Sequence, residues 1–265
     1  MDFFVDKDSV VRKIWGKGDT ILFIFAGSAA EFALNKAVDW LYFTGRLPAD
    51  PMGRLFSTVT YARQIVFSER EAALASIDRI TSIHQTVEQN RDQKIPDWAY
   101  RDVLFMLIDY SVRSFELLER KLTDAEKEEV FNVFYQVGQR MDLQGLPLNY
   151  RQWLPMREEH LLNHTQKSNY TVDLYRQYRK HLGWFRYEIL LEAQKLVIPE
   201  RVRHLLQLSN LKWLMPALKI YKLSRIFKLE WFLKWVILPG EYKTQIMALD
   251  DPGTKSIEQK MQGRQ

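Results

Sequence analysis

The apolar positions after Ser68 fall into a helical repeat. Ala73, Ile77, Ile80, His84 and Val87 recur at four, three, four and three residues, so one histidine stands in a line of core-facing aliphatic side chains. Ser68 and Glu71 have Ser-x-x-Glu spacing, which predicts a capping box and a helix start there. The preceding segment, 54–67, carries Arg54, Thr58, Tyr61 and Ile65 at the same spacing, so a cation, a hydroxyl and a phenol share a face with aliphatic side chains. That face is too polar for ordinary core.

The rest of the chain reads as further helices. Residues 21–43 are the most apolar run, but Glu31, Lys36 and Asp39 interrupt it before about 20 apolar residues accumulate, which predicts a buried helix and not a membrane span. Its small residues Ala26 to Ala30 let a flat group or another helix approach the backbone closely. Pro48 and Pro51 enforce a connection before Arg54. A helix over 98–120 is almost wholly apolar from Val103 to Ile108, as a central helix should be. Thr123 and Glu126 form a second capping-box pattern, followed by Val130, Val133, Phe134 and Val137 on one face. Helix resumes over 150–163 after the turn at Gly145 and Pro147, then over 171–181 and 186–196, with a break at Gly183 and a stop at Pro199. No convincing alternation of β-branched residues appears, so the predicted class is all-α, a multi-helix single-domain bundle of globin-like architecture.

Composition narrows the chemistry. The 265 residues are 46% hydrophobic, enough for a buried core. The absence of cysteine removes disulfides, thiolate metal sites and Cys nucleophiles. A net charge of +5, with cations and acids interspersed until the last quarter, does not favour nucleic acid as a partner. Aromatic residues reach 13%, with 8 Trp, which suits a large flat ligand or an interfacial surface. The first residues hold no uninterrupted apolar stretch of the secretory kind, so the expected location is cytoplasmic.

Three sets of residues invite chemistry. His84 on its apolar stripe needs a partner, either a structural hydrogen bond to backbone or Asp109, or a ligand. Asp109 follows the apolar centre of its helix, so it either reaches solvent or pairs with Arg54, Arg113 or a ring N–H of His84. His160 and His164 stand one turn apart, a spacing that can hold zinc. A metalloprotease would need Glu after the first His, and Leu161, Leu162 and Asn163 intervene, so structural or surface histidines are expected. A carboxylate-bridged di-iron centre needs Glu three residues before His, and none of the five histidines has one. Gly-rich phosphate loops, a Gly-x-Ser-x-Gly elbow and internal repeats are absent.

At the 50–58 segment DPMGRLFST, the 66–72 turn and the segment Ile83-His84-Gln85-Thr86-Val87, and more loosely over 122–148, the chain resembles the haem b oxygenases that include the latex-clearing rubber oxygenases and fungal MpaB. The resemblance covers roughly residues 20–210. It implies an all-helical fold holding a non-covalent haem b, with His84 as axial iron ligand and Arg54 and Thr58 on the distal side; Asp109, from its place after the apolar run, is then a candidate to support the cofactor through the His84 ring N–H. It further implies dioxygen and a small apolar, isoprenoid-like substrate whose C=C bond is cleaved. One departure is Ser57, where latex-clearing enzymes carry a Lys directly before the Thr; it bears on rubber-type chemistry and not on haem binding. The competing classes are a non-catalytic haem carrier or sensor and a membrane-surface interaction module.

The last predicted region, 205–242, interleaves Lys212, Lys219, Lys222, Arg225, Lys228 and Lys234 with Trp213, Trp231, Trp235 and aliphatic residues. Such basic amphipathic helices suit peripheral contact with a membrane, or simply carry solvated lysines on a packing helix. The expected organisation is a haem-binding oxygenase-like unit over 1–200, a basic amphipathic extension over 201–245 and a disordered tail over 246–265.

Overall fold

The computed structural model describes residues 2–45, 49–211, 213–216 and 218. Most of the predicted basic region and all of the predicted tail lie outside them. The helices are α1 (Val10–Trp15), α2 (Gly18–Phe32), α3 (Val38–Phe43), α4 (Pro51–Phe67), α5 (Arg70–Arg91), α6 (Asp97–Leu118), α7 (Asp124–Arg140), α8 (Tyr150–His164), α9 (Asn169–Val197) and α10 (Glu200–Leu206). Among the described residues there is no strand, only two isolated bridges, Phe3 with Glu69 and Asn35 with Thr165. The fold is an all-α single-domain bundle, and no described helix is long and apolar enough to cross a membrane.

Helices α2 and α6 pack along each other more extensively than any other pair and form the spine of the bundle. Their close approach rests on Gly27, where an added Cβ would stand 2.3 Å from Cδ1 of Tyr110. The small-residue stretch of α2 therefore admits the ring of a neighbouring helix. Gly27→Ala is expected to destabilise the fold by roughly 1–3 kcal/mol through overpacking, read as a lower urea midpoint at unchanged slope. The main core gathers Trp15, Ile21, Ile24, Phe105, Ile108, Phe131 and Trp153 with side chains from most other helices, including Val202 of α10. A smaller cluster of Ala37, Trp40 and Ala99, with Val87, Ile95 and Trp98 against it, lies beside that core.

Local chemistry departs from the sequence reading in two places. The expected buried helix over 21–43 is broken, because the Asn35 side chain accepts the amide of Ala37 at 2.8 Å and so competes with helix propagation. The Ser68–Glu71 capping box does not form: Ser68 closes α4, and Glu69 is the uncapped residue before α5. Glu69 instead bridges Phe3, and the Arg70 amide donates to the carbonyl of Asp2 at 2.9 Å, so the N-terminal segment satisfies this turn. The Thr123–Glu126 box forms in both directions, at 3.2 and 2.9 Å. Gly183 breaks α9 with φ 72° and ψ 170°, a backbone state essentially confined to glycine.

Candidate functional site

The stripe on α5 changes character along its length. Ala73 and Ile77 are fully buried in the main core, and Ile80 packs against it. Val87, at the other end, packs against the smaller cluster. His84 stands between the two, half-buried overall, with its Nδ1 covered and without a hydrogen-bond partner. The Tyr100 ring of α6 meets it edge-on at 5.2 Å between centroids. Tyr100 in turn donates its hydroxyl to Glu88 at 3.1 Å, and Glu88 also accepts the amide of Ile95 at 2.8 Å. Glu88 is one turn from His84 on α5, a spacing visible in the sequence; the partnership with Tyr100 was not.

Arg54 and Thr58 lie on α4, the helix most closely paired with α5 apart from the α2–α6 spine. Asp50 caps α4 by accepting the Gly53 amide at 2.8 Å, which fixes the turn that carries Arg54. The Thr58 hydroxyl donates to the Arg54 carbonyl at 3.2 Å and accepts from the Arg54 guanidinium at 3.4 Å, so the two side chains are held as one unit. The guanidinium is felt at His84. Burial first, and then the charge of Arg54, push the imidazole pKa down to about 4, against the opposing pull of Glu88. His84 is thus a neutral imidazole at physiological pH, the form that ligates metal.

That shift has a sign that can be checked in the purified protein. Below about pH 6.5 an unfolded chain protonates His84, while the folded chain keeps it neutral until about 4. The stabilisation is fully present above 6.5 and is lost as pH falls through that window. For a half-buried group we expect about 1–2 kcal/mol from this residue. Urea midpoints measured from pH 7 to 4 should therefore fall less steeply in His84→Gln than in the parent protein. Equal slopes would remove His84 from the acid response.

The structure does not make Asp109 a partner of His84. Its Oδ1 accepts from Arg113 Nε at 2.6 Å, one of the sequence candidates, and its Oδ2 accepts from Arg157 Nε and Nη2 at 3.1 and 3.0 Å. Arg157, which the sequence reading did not single out, also grips both oxygens of Glu31 at 2.5 Å, and Tyr110 donates to Glu31 at 2.8 Å. Burial opposes the Arg157 charge, but Glu31 and Asp109 outweigh it and raise its pKa. Burial, followed by the charge of Glu31, raises the Tyr110 phenol well above its ordinary value. Glu31 is therefore part of the core and not a surface interruption of α2. The signal for Arg157 lies in α8: Trp153, Arg157, His160 and His164 recur at four, three and four residues, a single inward line that carries a cation and two imidazoles.

Residues 15–228 match the family model described as ER-bound oxygenase mpaB/B'/Rubber oxygenase, catalytic domain. The chain belongs to this oxygenase family. Comparison with curated proteins and with solved structures returned no match. The mpaB/rubber oxygenase match covers every helix described above except α1, whose last residue alone falls within it, so the Arg54–Thr58 unit, His84 and the buried charge cluster all lie inside the oxygenase catalytic domain.

Proposed function

We propose that this oxygenase uses haem b and cleaves a carbon–carbon double bond in an apolar, isoprenoid-like substrate. The observation that carries the reading is the neutral imidazole of His84, with a covered and unpartnered Nδ1, lying between two apolar clusters within reach of the Arg54 charge. These residues fit a haem: His84 would hold the iron, and the apolar side chains around it would suit the macrocycle. The bound haem would supply the activation of dioxygen. Arg54, held by Thr58, would supply a positioned cation for negative charge that develops during oxygen chemistry. Tyr100, tied to Glu88, limits rotation of the His84 ring. Overall, one dioxygen and one C=C bond give two carbonyl groups, so both oxygen atoms are accounted for and no reductant is consumed.

The test is direct. Purified protein should absorb near the violet edge of the visible spectrum and contain one iron per chain, and with squalene under ¹⁸O₂ it should yield labelled aldehydes or ketones. Protein that takes up no haem when reconstituted would overturn the reading. Haem uptake without carbonyl product would leave a carrier or sensor in its place.

The same reading includes peripheral membrane contact through 205–242. At the described edge of that region, Leu211 and Trp213 are 73% and 50% exposed. Full-length protein should float with phosphatidylserine vesicles in low salt and release in high salt, whereas protein ending before residue 205 should not.

A further inference from the structure

A second group of metal-ligating side chains stands away from the His84 pair. His160 and His164 on α8 converge on Asp102 of α6, and one ligand atom from each of the three lies within 4.8 Å of the other two. His164 Nδ1 is 3.1 Å from Asp102 Oδ1, and His160 Nδ1 faces the same oxygen. Asp102 and His160 side chains are 3% and 7% exposed. The His160 Nδ1 is covered and lies against the Asp102 carboxylate. One carboxylate oxygen faced by two imidazole nitrogens from adjacent turns, with two of the three side chains buried, is a donor set that an ion would complete.

We propose that Asp102, His160 and His164 form a binding site for a divalent transition ion of borderline softness, Zn²⁺ before others. Two histidines four residues apart on one helix offer their nitrogens from adjacent turns, and a carboxylate from a neighbouring helix completes three ligands. With bonds of about 2.0–2.2 Å in a tetrahedron, ligand atoms sit about 3.4 Å apart, so small side-chain rotations close the set on an ion and leave the fourth position to water.

The surroundings are built for such a site. Asn35 donates to the other oxygen of Asp102, Oδ2, at 2.8 Å, which fixes the carboxylate and leaves Oδ1 for the ion. The Lys36 amide donates to the His164 carbonyl at 2.9 Å and the Gln166 amide to the Leu34 carbonyl at 2.8 Å, which pins the end of α8 to the α2–α3 connection. Trp98 covers His164 at 4.3 Å between centroids, and Phe105 covers His160 at 4.9 Å. Ca²⁺ and Mg²⁺ take sets of oxygen ligands that this site does not offer, whereas its two imidazole nitrogens favour Zn²⁺.

The experiment is calorimetric titration of the chelator-treated full chain with Zn²⁺, with Mg²⁺ and Ca²⁺ in parallel, and zinc content measured after dialysis. One Zn²⁺ per chain is expected, without binding of the other two. His164→Gln and Asp102→Asn each change a ligand with little change of shape and should weaken Zn²⁺ at least tenfold while circular dichroism stays unchanged. His181→Ala and His204→Ala, at exposed positions, should bind as the parent does. Iron is counted separately, so haem content does not enter the result. Absence of Zn²⁺ binding by the parent chain, or binding undiminished in both His164→Gln and Asp102→Asn, would overturn the proposal.

Discussion

If the protein holds haem as proposed, replacing His84 with alanine is expected to remove most of it and with it the absorption band near the violet edge, while leaving the helical signal intact. The residue lies where the buried stripe of α5 opens between two apolar clusters, so truncation does not leave a cavity in the main core. What it removes is the neutral nitrogen donor. Arg54→Ala and Thr58→Ala act differently, because neither side chain anchors the iron in this reading. Each should retain haem near parent levels, and Arg54→Ala should lower turnover by about 10²–10³-fold, the usual scale for losing one preorganised donor to developing charge. Thr58→Ala should cost less, since its hydroxyl positions Arg54 through contacts of 3.2 and 3.4 Å and does not itself carry charge. Iron content, haem absorption and carbonyl product separate the three variants. Full haem occupancy in His84→Ala would move the ligand to His160, His164, His181 or His204.

The second large effect is expected at Arg157. This guanidinium, with 4% of its side chain exposed, neutralises Glu31 and shares Asp109 with Arg113. Arg157→Met keeps most of the volume but leaves Glu31 as a buried carboxylate without its cation. Breaking a buried pair in this way costs about 3–5 kcal/mol, a large part of the roughly 5–15 kcal/mol that holds a typical domain together. Glu31→Gln in the same chain should recover part of that loss, because the uncompensated charge is then gone. A urea-denaturation cycle over the parent, both single variants and the double variant reads the coupling. Additive losses would mean that the two side chains do not act as a pair.

What periodicity carries was legible. The α6 helix was expected over 98–120 and spans Asp97–Leu118, and the break at Gly183 and the Thr123 cap are where local residue chemistry places them. The stripe through His84 was legible for the same reason, since residues three and four apart on a helix share a face. Contacts between distant segments were not. Glu31 looked like an interruption of an apolar run because its partner stands 126 residues away, and Asp102 drew no notice because its histidines lie about 60 residues further on. The expected Ser68 cap failed where the N-terminal segment, 66 residues upstream, took over the turn. In each case a local rule gave way to a long-range partner that a single sequence does not reveal.

The Glu31–Arg157 pair also sets an order of events during synthesis. Until α8 has been made, the two carboxylates at the centre of the α2–α6 spine lack the cation that α8 brings to both of them. With 39 residues between the end of α6 at Leu118 and Arg157, and elongation of about 5–20 residues per second, a nascent chain holds both central helices for roughly 2–8 seconds before that cation is made. During that interval the apolar faces of α2 and α6 are exposed to whatever binds unfinished chains. Dependence on a chaperone would then be concentrated in the part of translation between Leu118 and Arg157.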